Sequence, residues 1–385
     1  MYSKFIKMIL PLPSFFTIAL PSEKEPAVFP VQAPPQSVLC PICFGKTHRH
    51  DAKIRRFRHG FAWHIGTLWI ELAVPRQRCT CCGFTFAYDY GLGLVRSSTD
   101  SFRREIVRRC HGRALSDVAR EYTIPYTTLE RWFYFYAPEQ LVEEEAQHLC
   151  VDEFAIRKGH SYATSVLNAD TGRILAIVPH RDQTAIMSVL AKVSGNIKAV
   201  VSDFAPAMAN AIQSVSQKAV HVLDRFHLIQ FFTEALRRRR RYLNEAKKHH
   251  KVRFIDRCLA RCPSDLTEEE RGFVARWCRE DGHVKHLYQA LQHIRYVFKS
   301  TTMIQSKKRL KDWFKRYQFH VCGAVSKIAK TLIAREKALL DTILSPLSNG
   351  IMEGTNNKIK LIKRRGFGYR NDNHFFLRLR LETGR

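Results

Sequence analysis

The pattern of apolar and polar positions is most regular between residues 147 and 223, where short apolar runs alternate first with turn residues and then with helical periods. Three runs have strand character, and a helix, a strand, a second helix and a last strand follow them. These elements are predicted at 148–155, 161–167, 173–179, 184–193, 197–202, 205–215 and 219–223. Strands joined by short turns pair antiparallel, whereas strands joined through helices pair parallel. The pattern therefore predicts one mixed sheet.

The chain after this sheet is helical and shows no strand period up to about residue 344. A further helix is predicted after Pro346, with Ser348 or Asn349 as its N-cap and Gly366 at its end. The mixed order of strands and helices is typical of an RNase H-like fold. We therefore predict an α/β RNase H-like catalytic domain over 147–385, with an all-helical insertion at about 232–344.

Two pairs of cysteines with C-x-x-C spacing lie before the sheet, on either side of a strand-like segment at 68–74. Two such pairs brought together supply four thiolates, the ligand set of a structural zinc site with no open position for chemistry. The predicted zinc ligands are Cys40, Cys43, Cys79 and Cys82. The alternative ligands are His48, His50 and, in place of Cys82, Cys81. We predict a zinc ribbon over 40–95, preceded by an N-terminal arm at 1–39 that is proline-rich and extended over 21–39.

The charge balance limits the classes of partner. The chain has 63 Lys and Arg against 35 Asp and Glu, a formal net charge of +28, which attracts polyanions such as nucleic acid or an anionic membrane surface. No apolar run reaches the roughly 18 residues of a membrane span, and Pro11 and Pro13 interrupt the N-terminal apolar stretch, which argues against a signal peptide. Five of the 11 cysteines lie between Cys40 and Cys82, which indicates a reduced compartment with one metal cluster.

The segment 115–133 has the pattern of two short helices joined by a tight turn. Ser116 is the predicted N-cap of the first helix, and Thr123 occupies a turn position where glycine is often found. The predicted inward residues are Val118, Ala119, Tyr122, Ile124, Leu129 and Trp132. The residues predicted to face a DNA groove are Thr127, Thr128, Glu130 and Arg131. In so basic a chain we favour a DNA-binding helix-turn-helix domain over 98–140; the alternative is an ordinary two-helix hairpin.

Two carboxylates, Asp152 and Asp203, stand at the ends of predicted strands, where open α/β sheets place their sites. The third candidate is Glu353, at the edge of an apolar helix stripe that is expected to pack on the sheet. That stripe consists of Met352, Thr355, Ile359 and Ile362. Three carboxylates offer the oxygen ligands that a pair of Mg²⁺ ions requires. Glu153 is a rival of Asp152, and Asp203 by itself could be a helix N-cap.

Cations surround Glu353 in the sequence and are expected to contact phosphates without reading base identity. They are Lys358, Lys360, Lys363, Arg364 and Arg365. A run of five arginines at 237–241 lies in the helical insertion. Such a run is most often a solvated helix face, and in this charge context it is also expected to contact phosphates.

Four segments in this order resemble the DDE transposases of bacterial insertion sequences, in particular the ISL-three group. The segments are CVDEFAIRKGHSYAT, VVSDFAPAMANAI, VHVLDRFHLIQ and SNGIMEGTNNKIKLIKRRGFGYRN. The resemblance covers Cys40 to the C-terminus and implies a zinc ribbon, a helix-turn-helix and an RNase H-like domain with a helical insertion. It also implies that Asp152, Asp203 and Glu353 are the catalytic triad. The D-x-x-H signature of Asp224 and His227 then supports the site.

The implied reaction is magnesium-dependent cleavage at the ends of an insertion sequence, followed by attack of the freed 3′ hydroxyl on target DNA. The implied partners are double-stranded DNA, both terminal inverted repeats and target, and a second copy of the chain in a dimer. The implied place of action is the bacterial cytoplasm at the nucleoid, without a membrane. The two rival interpretations are a catalytically inactive DNA-binding regulator and another RNase H-like nuclease such as a junction resolvase.

Overall fold

The structure is a computed structural model that describes residues 6, 9–34, 37–193, 196–215, 218–243, 252–347 and 350–384. The chain divides into two compact units. The first unit comprises Met1–Leu141 and Ile362–Leu377, and the second comprises Val142–Leu361 and Arg378–Arg385. The predicted caps Ser348 and Asn349 lie outside the described residues.

The first unit contains a five-stranded sheet dominated by one long antiparallel hairpin. Its strands are β1 (Thr17–Ile18), β2 (Val28–Gln32), β3 (Thr47–Ala62), β4 (Gly66–Cys79) and β5 (Thr85–Ala87). The spatial order is β1-β2-β4-β3, and β5 pairs with β4. The arm expected at 1–39 therefore contributes two strands to this sheet, because β2 pairs parallel with β4 and β1 pairs antiparallel with β2.

The alternation of residues along β4 explains why this sheet has a core. Leu68, Ile70, Leu72 and Val74 occupy every second position and are buried, as expected for one face of a strand. Ile70, Leu72 and Val74 pack in a cluster with Phe16, Val31 and Phe57. Two apolar residues of the N-terminal stretch, Leu10 and Phe16, are also buried.

Three helices complete the described N-terminal part of the first unit. They are α1 (Asp100–Arg109), α2 (Leu115–Glu121) and α3 (Tyr126–Tyr136). Thr99 caps α1 by accepting a hydrogen bond from the backbone amide of Phe102. The N-cap of α2 is Ala114, without a side-chain hydrogen bond. The prediction that Ser116 caps α2 is wrong, because the helix begins one residue earlier and Ser116 lies within its first turn.

The second unit is built on the predicted mixed sheet. Its strands are β6 (His148–Arg157), β7 (Ser161–Asn168), β8 (Ile174–Pro179), β9 (Ala199–Ser202) and β10 (Val220–Leu223). The order is β10-β9-β6-β7-β8, with antiparallel pairing in the β6-β7-β8 meander and parallel pairing across β6-β9-β10. Helices α4 (Gln183–Leu190) and α5 (Pro206–Val215) connect the parallel strands and share their apolar cluster.

The described residues after β10 and up to 344 form a series of helices joined by short loops, with no strand among them, as predicted. The helices are α6 (Arg225–Leu243), α7 (Val252–Ala260), α8 (Glu268–Glu280), α9 (Gly282–Val297), α10 (Met303–Tyr317), α11 (Gly323–Ile333) and α12 (Glu336–Leu344). They enclose an apolar cluster of their own that reaches back to Phe204 and Leu223 of the sheet region. Two helices follow, α13 (Gly350–Arg365) and α14 (Asp372–Glu382), and α13 ends just before Gly366, as predicted.

Candidate active site and metal site

Strand register brings the predicted aspartates to one edge of the sheet in the second unit. In the parallel ladder between β6 and β9, Cys150 is opposite Val201. Asp152, within β6, and Asp203, the residue directly after β9, each lie two positions beyond this pair, so they occupy equivalent positions. The prediction that Asp152 ends its strand is wrong, because β6 pairs with β7 as far as Arg157. Leu223 is opposite Ser202 in the next parallel pair, which gives Asp224 the same level as Asp203. Three carboxylates from three neighbouring parallel strands thus lie at one sheet edge.

The backbone after β9 and after β10 follows the same local design. Asp203 accepts a hydrogen bond from the amide of Ala205, and Asp224 accepts one from the amide of Phe226, both at 2.9 Å. Each aspartate therefore uses one carboxylate oxygen to start the helix that follows its strand. The expectation that Asp203 could act as a local cap is thus met in part, and its second oxygen is not needed for that role.

His227 contacts the third of these acids directly. Its Nδ1 lies 2.6 Å from the Oδ2 of Asp224, which is itself buried. The hydrogen bond to Asp224, reinforced by the charges of Asp224, Asp152 and Asp203, raises the pKa of His227. The pKa of the imidazole therefore depends on the charges of all three acids. This contact places the D-x-x-H pair beside the edge where Asp152 and Asp203 lie.

Helix α13 is connected to Asp152 by a residue that the sequence analysis missed. The Nδ2 of Asn356 donates a hydrogen bond of 2.9 Å to the Oδ2 of Asp152. Glu353 is exposed and lies three residues before Asn356, in the first turn of α13. Residues three apart are neighbours on a helix surface, so the turn that carries Glu353 adjoins the turn that bonds Asp152.

The apolar stripe predicted on α13 is buried, since Met352, Thr355, Ile359 and Ile362 are all buried. Asn356 was missed because an asparagine beside a buried stripe has the same pattern as a solvated one. The adjacent Asn357 has the same residue type, so the sequence does not show which of the two asparagines contacts Asp152.

Burial dominates the electrostatics of the acidic edge. It raises the pKa of the Asp152 carboxyl, and the negative charge of Asp203 adds to this effect, whereas the hydrogen bond from Asn356 opposes it. The pKa of Glu153, the rival ligand, is also raised, first by burial and then by the charge of Asp203. Glu153 has a cation nearby, since its Oε2 lies 3.7 Å from Arg181. Positively charged groups such as divalent cations would relieve this concentration of negative charge.

A tight cluster of side chains that could hold a metal ion lies in the first unit. The sulfur atoms of the four predicted zinc ligands lie within 4.8 Å of one another. Among the described residues, this is the one group of three or more His, Cys, Asp or Glu side chains gathered so tightly. The alternative ligands His48, His50 and Cys81 are outside the cluster. Asp152, Asp203 and Glu353 are not gathered to that distance either.

The geometry of the four thiols fits a tetrahedral zinc ion. The sulfurs of Cys40 and Cys82 are 3.6 Å apart, and those of Cys43 and Cys79 are 3.4 Å apart. Ligands at the usual zinc–sulfur distance of about 2.3 Å have sulfurs roughly 3.8 Å apart. Backbone amides of Cys82 and Cys81 donate to the sulfur of Cys79 and lower its pKa to about 6, which favours the thiolate that zinc requires. The four-cysteine cluster can therefore bind zinc.

Helices α2 and α3 form the predicted two-helix motif in the first unit. Val118, Ala119, Ile124 and Leu129 are buried between them. Thr123, in the connecting turn, has φ of 52°, the left-handed conformation that glycine adopts most easily. The turn thus has its usual backbone geometry although the usual residue is absent.

The residues predicted to face DNA lie on the accessible side of α3. Thr127 and Arg131 are exposed, and Thr128 is half-buried. Trp132, predicted to point to the core, is only half-buried, and Phe133 is the fully packed residue instead. The register of the inner face is therefore 129, 133 and 136 at its C-terminal end.

The cations predicted to contact phosphates divide into two groups. On α13, Lys358, Lys360 and Arg364 are exposed, whereas Lys363 and Arg365 are half-buried. In the arginine run, Arg239 pairs with Asp281 and the buried Arg240 pairs with Asp256, both at 2.7 Å. The expectation of a solvated face is wrong for these two arginines, because they join helices of the insertion. The remaining ones, Arg237, Arg238 and Arg241, line a cavity of about 300 Å³ with Glu234.

Within the described ranges, every helix is too short or too polar to cross a lipid bilayer.

Comparison with known proteins identifies the class. Residues 149–379 match the ISL3 family of DDE transposases, whose family model is described as "Transposase". The match spans more than half of the chain, from β6 into α14. This places the chain among the transposases, the enzymes of transposition. The protein belongs to the ISL3 transposase family of insertion sequences, as the resemblance of its four segments indicated, and as a member it is a DNA-binding and DNA-cleaving enzyme.

Whole-length relatives carry the same description. The chain is 25% identical over 360 residues to the transposase for insertion sequence element IS1001 of Bordetella parapertussis, an alignment that covers 89% of this chain and 88% of the relative. It is 24% identical over 379 residues to the transposase for insertion sequence element IS1557 of Mycobacterium tuberculosis, with 86% and 82% covered. Among solved structures, the Drosophila P element transposase strand transfer complex matches 76% of this chain and 93% of its own at a TM-score of 0.38 and 11% identity.

Proposed function

We propose that this protein cuts DNA at the ends of its insertion sequence and joins the freed 3′ ends to target DNA, through an RNase H-like domain with Asp152, Asp203 and Glu353 as its catalytic triad. One observation carries the proposal: the register of two adjacent parallel strands puts Asp152, within β6, and Asp203, directly after β9, at equivalent positions. Helix α13, which carries Glu353, is bonded to one of them through Asn356.

The three acids would hold two Mg²⁺ ions. When bound, such a pair supplies charge stabilisation for the attacking and leaving oxygens of a scissile phosphate. The chain's own contribution is to position both aspartates from the sheet and to desolvate Asp152, so that the charge of Asp152 is poorly solvated before a cation arrives. Glu353, exposed on its helix, would complete the ligand set once metal and DNA are present.

Asp224 and His227 are the proposed supporting pair. The imidazole lies at hydrogen-bond distance from the buried carboxylate of Asp224. The charges of the two proposed catalytic aspartates also raise its pKa. A protonated His227 would moderate the repulsion among these acids. Its partner Asp224 would hold the ring in one orientation.

DNA recognition is proposed for the first unit. Thr127, Thr128 and Arg131 of α3 would enter a major groove of the terminal inverted repeat. The zinc ribbon at 40–95 would hold its ribbon geometry by binding one structural Zn²⁺ at the four cysteines. The cations on α13 would hold flanking phosphates. The proposed complex contains two copies of the chain on DNA, in the bacterial nucleoid where both substrates are found.

The test is a cleavage and joining assay with the full chain. The substrate is a labelled duplex that ends in the inverted repeat flanking this gene, offered with a target plasmid in the presence and absence of Mg²⁺. We expect Mg²⁺-dependent cleavage and joined products from the natural chain, and neither from Asp203→Asn. Asp170→Asn is the matched control, because Asp170 lies in the turn after β7 and bonds His148 instead of the acidic edge.

The outcomes separate the rival functions. Duplex binding without Mg²⁺-dependent cleavage would favour an inactive regulator. Cleavage of branched DNA without joining to the plasmid would favour a junction resolvase. Equal activity of Asp203→Asn and the natural chain would remove Asp203 from the catalytic site and end the proposed triad.

A further inference from the structure

A cavity of about 690 Å³ lies in the first unit, beside the proposed recognition helix. One wall is the face of α3 that carries Thr128, Trp132 and Phe135, residues four and three apart along the helix. The other wall consists of residues 95–98 and the side chain of Arg58. A volume of this size accommodates a ligand of small-molecule dimensions.

The aromatic side chains of this cavity are unusually accessible. Phe135 is 71% exposed although it sits in a helix with a well-packed inner face. Its ring meets Tyr136 edge-on, with centroids 4.9 Å apart, so its outer face stays open. Trp132, one turn earlier, is half-buried and lines the same cavity. An open aromatic face beside a partly covered indole is a surface on which a flat ring can stack.

The charged groups of the cavity are predominantly positive and available. Arg58, Arg96 and Arg131 line it, and none of the three forms an ion pair within the part of the chain that the structure describes. Arg58 is half-buried, with its guanidinium 4.7 Å from the ring centre of Trp69. The carboxylate of the cavity, Asp100, is already bonded to Arg104 and to the hydroxyl of Tyr136. The cavity therefore attracts an anion and offers no competing free acid.

We propose that this cavity binds unpaired nucleotides of single-stranded DNA, with a base stacked on Phe135 and Trp132 and phosphates held by Arg58 and Arg96. Bases inside a duplex are covered on both faces by their neighbours, so the exposed ring of Phe135 stacks on a base that has left the helix. Guanidiniums without an ion-pair partner match a polyanion and repel a basic partner such as a second copy of this chain. The inference deepens the proposed function, since it adds a single-strand subsite next to the proposed duplex-reading helix.

The test measures binding of a fluorescein-labelled oligothymidylate by the full chain, with an unlabelled blunt duplex measured in parallel. We expect Phe135→Ala to weaken oligothymidylate binding about tenfold, the usual loss when one stacking ring is removed, and to leave duplex binding within about twofold. Phe135→Tyr keeps the ring and should restore binding. Arg58→Gln should reduce the slope of the logarithm of the binding constant against the logarithm of salt concentration. The expected reduction is about that of one phosphate contact.

Phe319→Ala is the matched control, because Phe319 is 82% exposed in the second unit, far along the sequence from this cavity. Its substitution should change neither oligothymidylate binding nor duplex binding. Failure of the natural chain to bind oligothymidylate, or equal losses in Phe135→Ala and Phe319→Ala, would overturn the inference. A dimer in solution that dissociates in Phe135→Ala, with oligothymidylate binding unchanged, would show that the cavity is an interface between copies instead. None of these results depends on Mg²⁺-dependent cleavage, so the binding assay tests this inference independently of the proposed function.

Discussion

The four-cysteine cluster and the acidic edge are assembled in opposite ways. The cysteines come from two short knuckles whose spacing is written in the sequence, and their sulfurs already lie within 4.8 Å of one another. The acids come from three strands and a helix separated by up to two hundred residues, and strand register aligns them. Local spacing thus determines the first site, whereas topology determines the second.

This difference has a physical origin in what each site does. A structural metal site replaces a missing core, so its ligands are positioned closely enough to hold the metal whenever the chain folds. An acidic site that must admit DNA cannot close in advance, because unscreened carboxylates repel one another and burial raises the pKa of Asp152. We therefore expect metal removal to alter the cysteine cluster. At the acidic edge, we expect the substitution of a single carboxylate to alter activity.

The largest expected effect is at the cysteine cluster. Removing zinc with a strong chelator should withdraw a binding free energy on the order of 10 kcal/mol from the knuckles and expose their thiols to alkylation. The sheet should persist, since β4 has its own apolar cluster with Phe16 and Phe57. The measurement is alkylation mapped by mass spectrometry, before and after chelation.

Cys81 is an internal control for that experiment. It is exposed and lies outside the cluster, although it is adjacent to the ligand Cys82. Cys81 should react in both states, and Cys40, Cys43, Cys79 and Cys82 only after chelation. Alkylation of the four cluster thiols at the rate of Cys81 in protein purified with zinc would show that they hold no metal.

The next effect separates two adjacent carboxylates at the acidic edge. Asp152→Asn should lower the rate of Mg²⁺-dependent cleavage by about a thousandfold or more, because a ligand to catalytic metal contributes several kcal/mol of transition-state stabilisation. Glu153→Gln should lower it less than about tenfold, since successive residues of a strand point to opposite faces. Comparable losses in both variants would contradict the strand-face argument and make the pair a shared ligand.

A smaller effect of opposite sign is expected on stability. Burial raises the pKa of Asp152 in the folded chain, so its ionised form destabilises the fold above that pKa. Asp152→Asn should therefore stabilise the metal-free protein by about 1 kcal/mol at neutral pH, as often follows when a functional charge is removed. The gain should shrink as the pH falls through the raised pKa of Asp152 and vanish below its unfolded pKa. Thermal melts in a chelator, from neutral to acidic pH, measure this difference.

Much of this architecture could be predicted because its determinants are periodic or local. The strands β6 to β10 and the burial of Met352 and Ile359 on α13 followed from apolar spacing. The cysteine cluster followed from C-x-x-C spacing. Strands β1 and β2 were missed, because a short strand that adds to a distant hairpin has no period of its own.

The remaining features depend on contacts that a single sequence does not reveal. Asn356 reaches Asp152 across more than two hundred residues, and nothing in its neighbours signals that partner. Arg239 and Arg240 belong to a run of like charges, yet each meets an aspartate on another helix. Whether a polar residue is solvated or bonded is decided by tertiary packing, which residue type and periodicity do not record.

The smallest expected effect is at the turn between α2 and α3, where a threonine adopts a left-handed backbone conformation that its residue type does not indicate. A β-branched residue in the left-handed region costs roughly 1–2 kcal/mol, and Thr123 adopts φ of 52° there. Thr123→Gly relieves that cost but adds entropy to the unfolded chain, so we expect a net gain of about 0.5 kcal/mol, seen as a rise of about 1–2 °C in Tm. Thr331→Gly, within the exposed face of α11, should lose about 0.5 kcal/mol by helix propensity. A loss of the same size at Thr123 would mean that the threonine side chain supports the turn, and that the helix-turn-helix geometry depends on it.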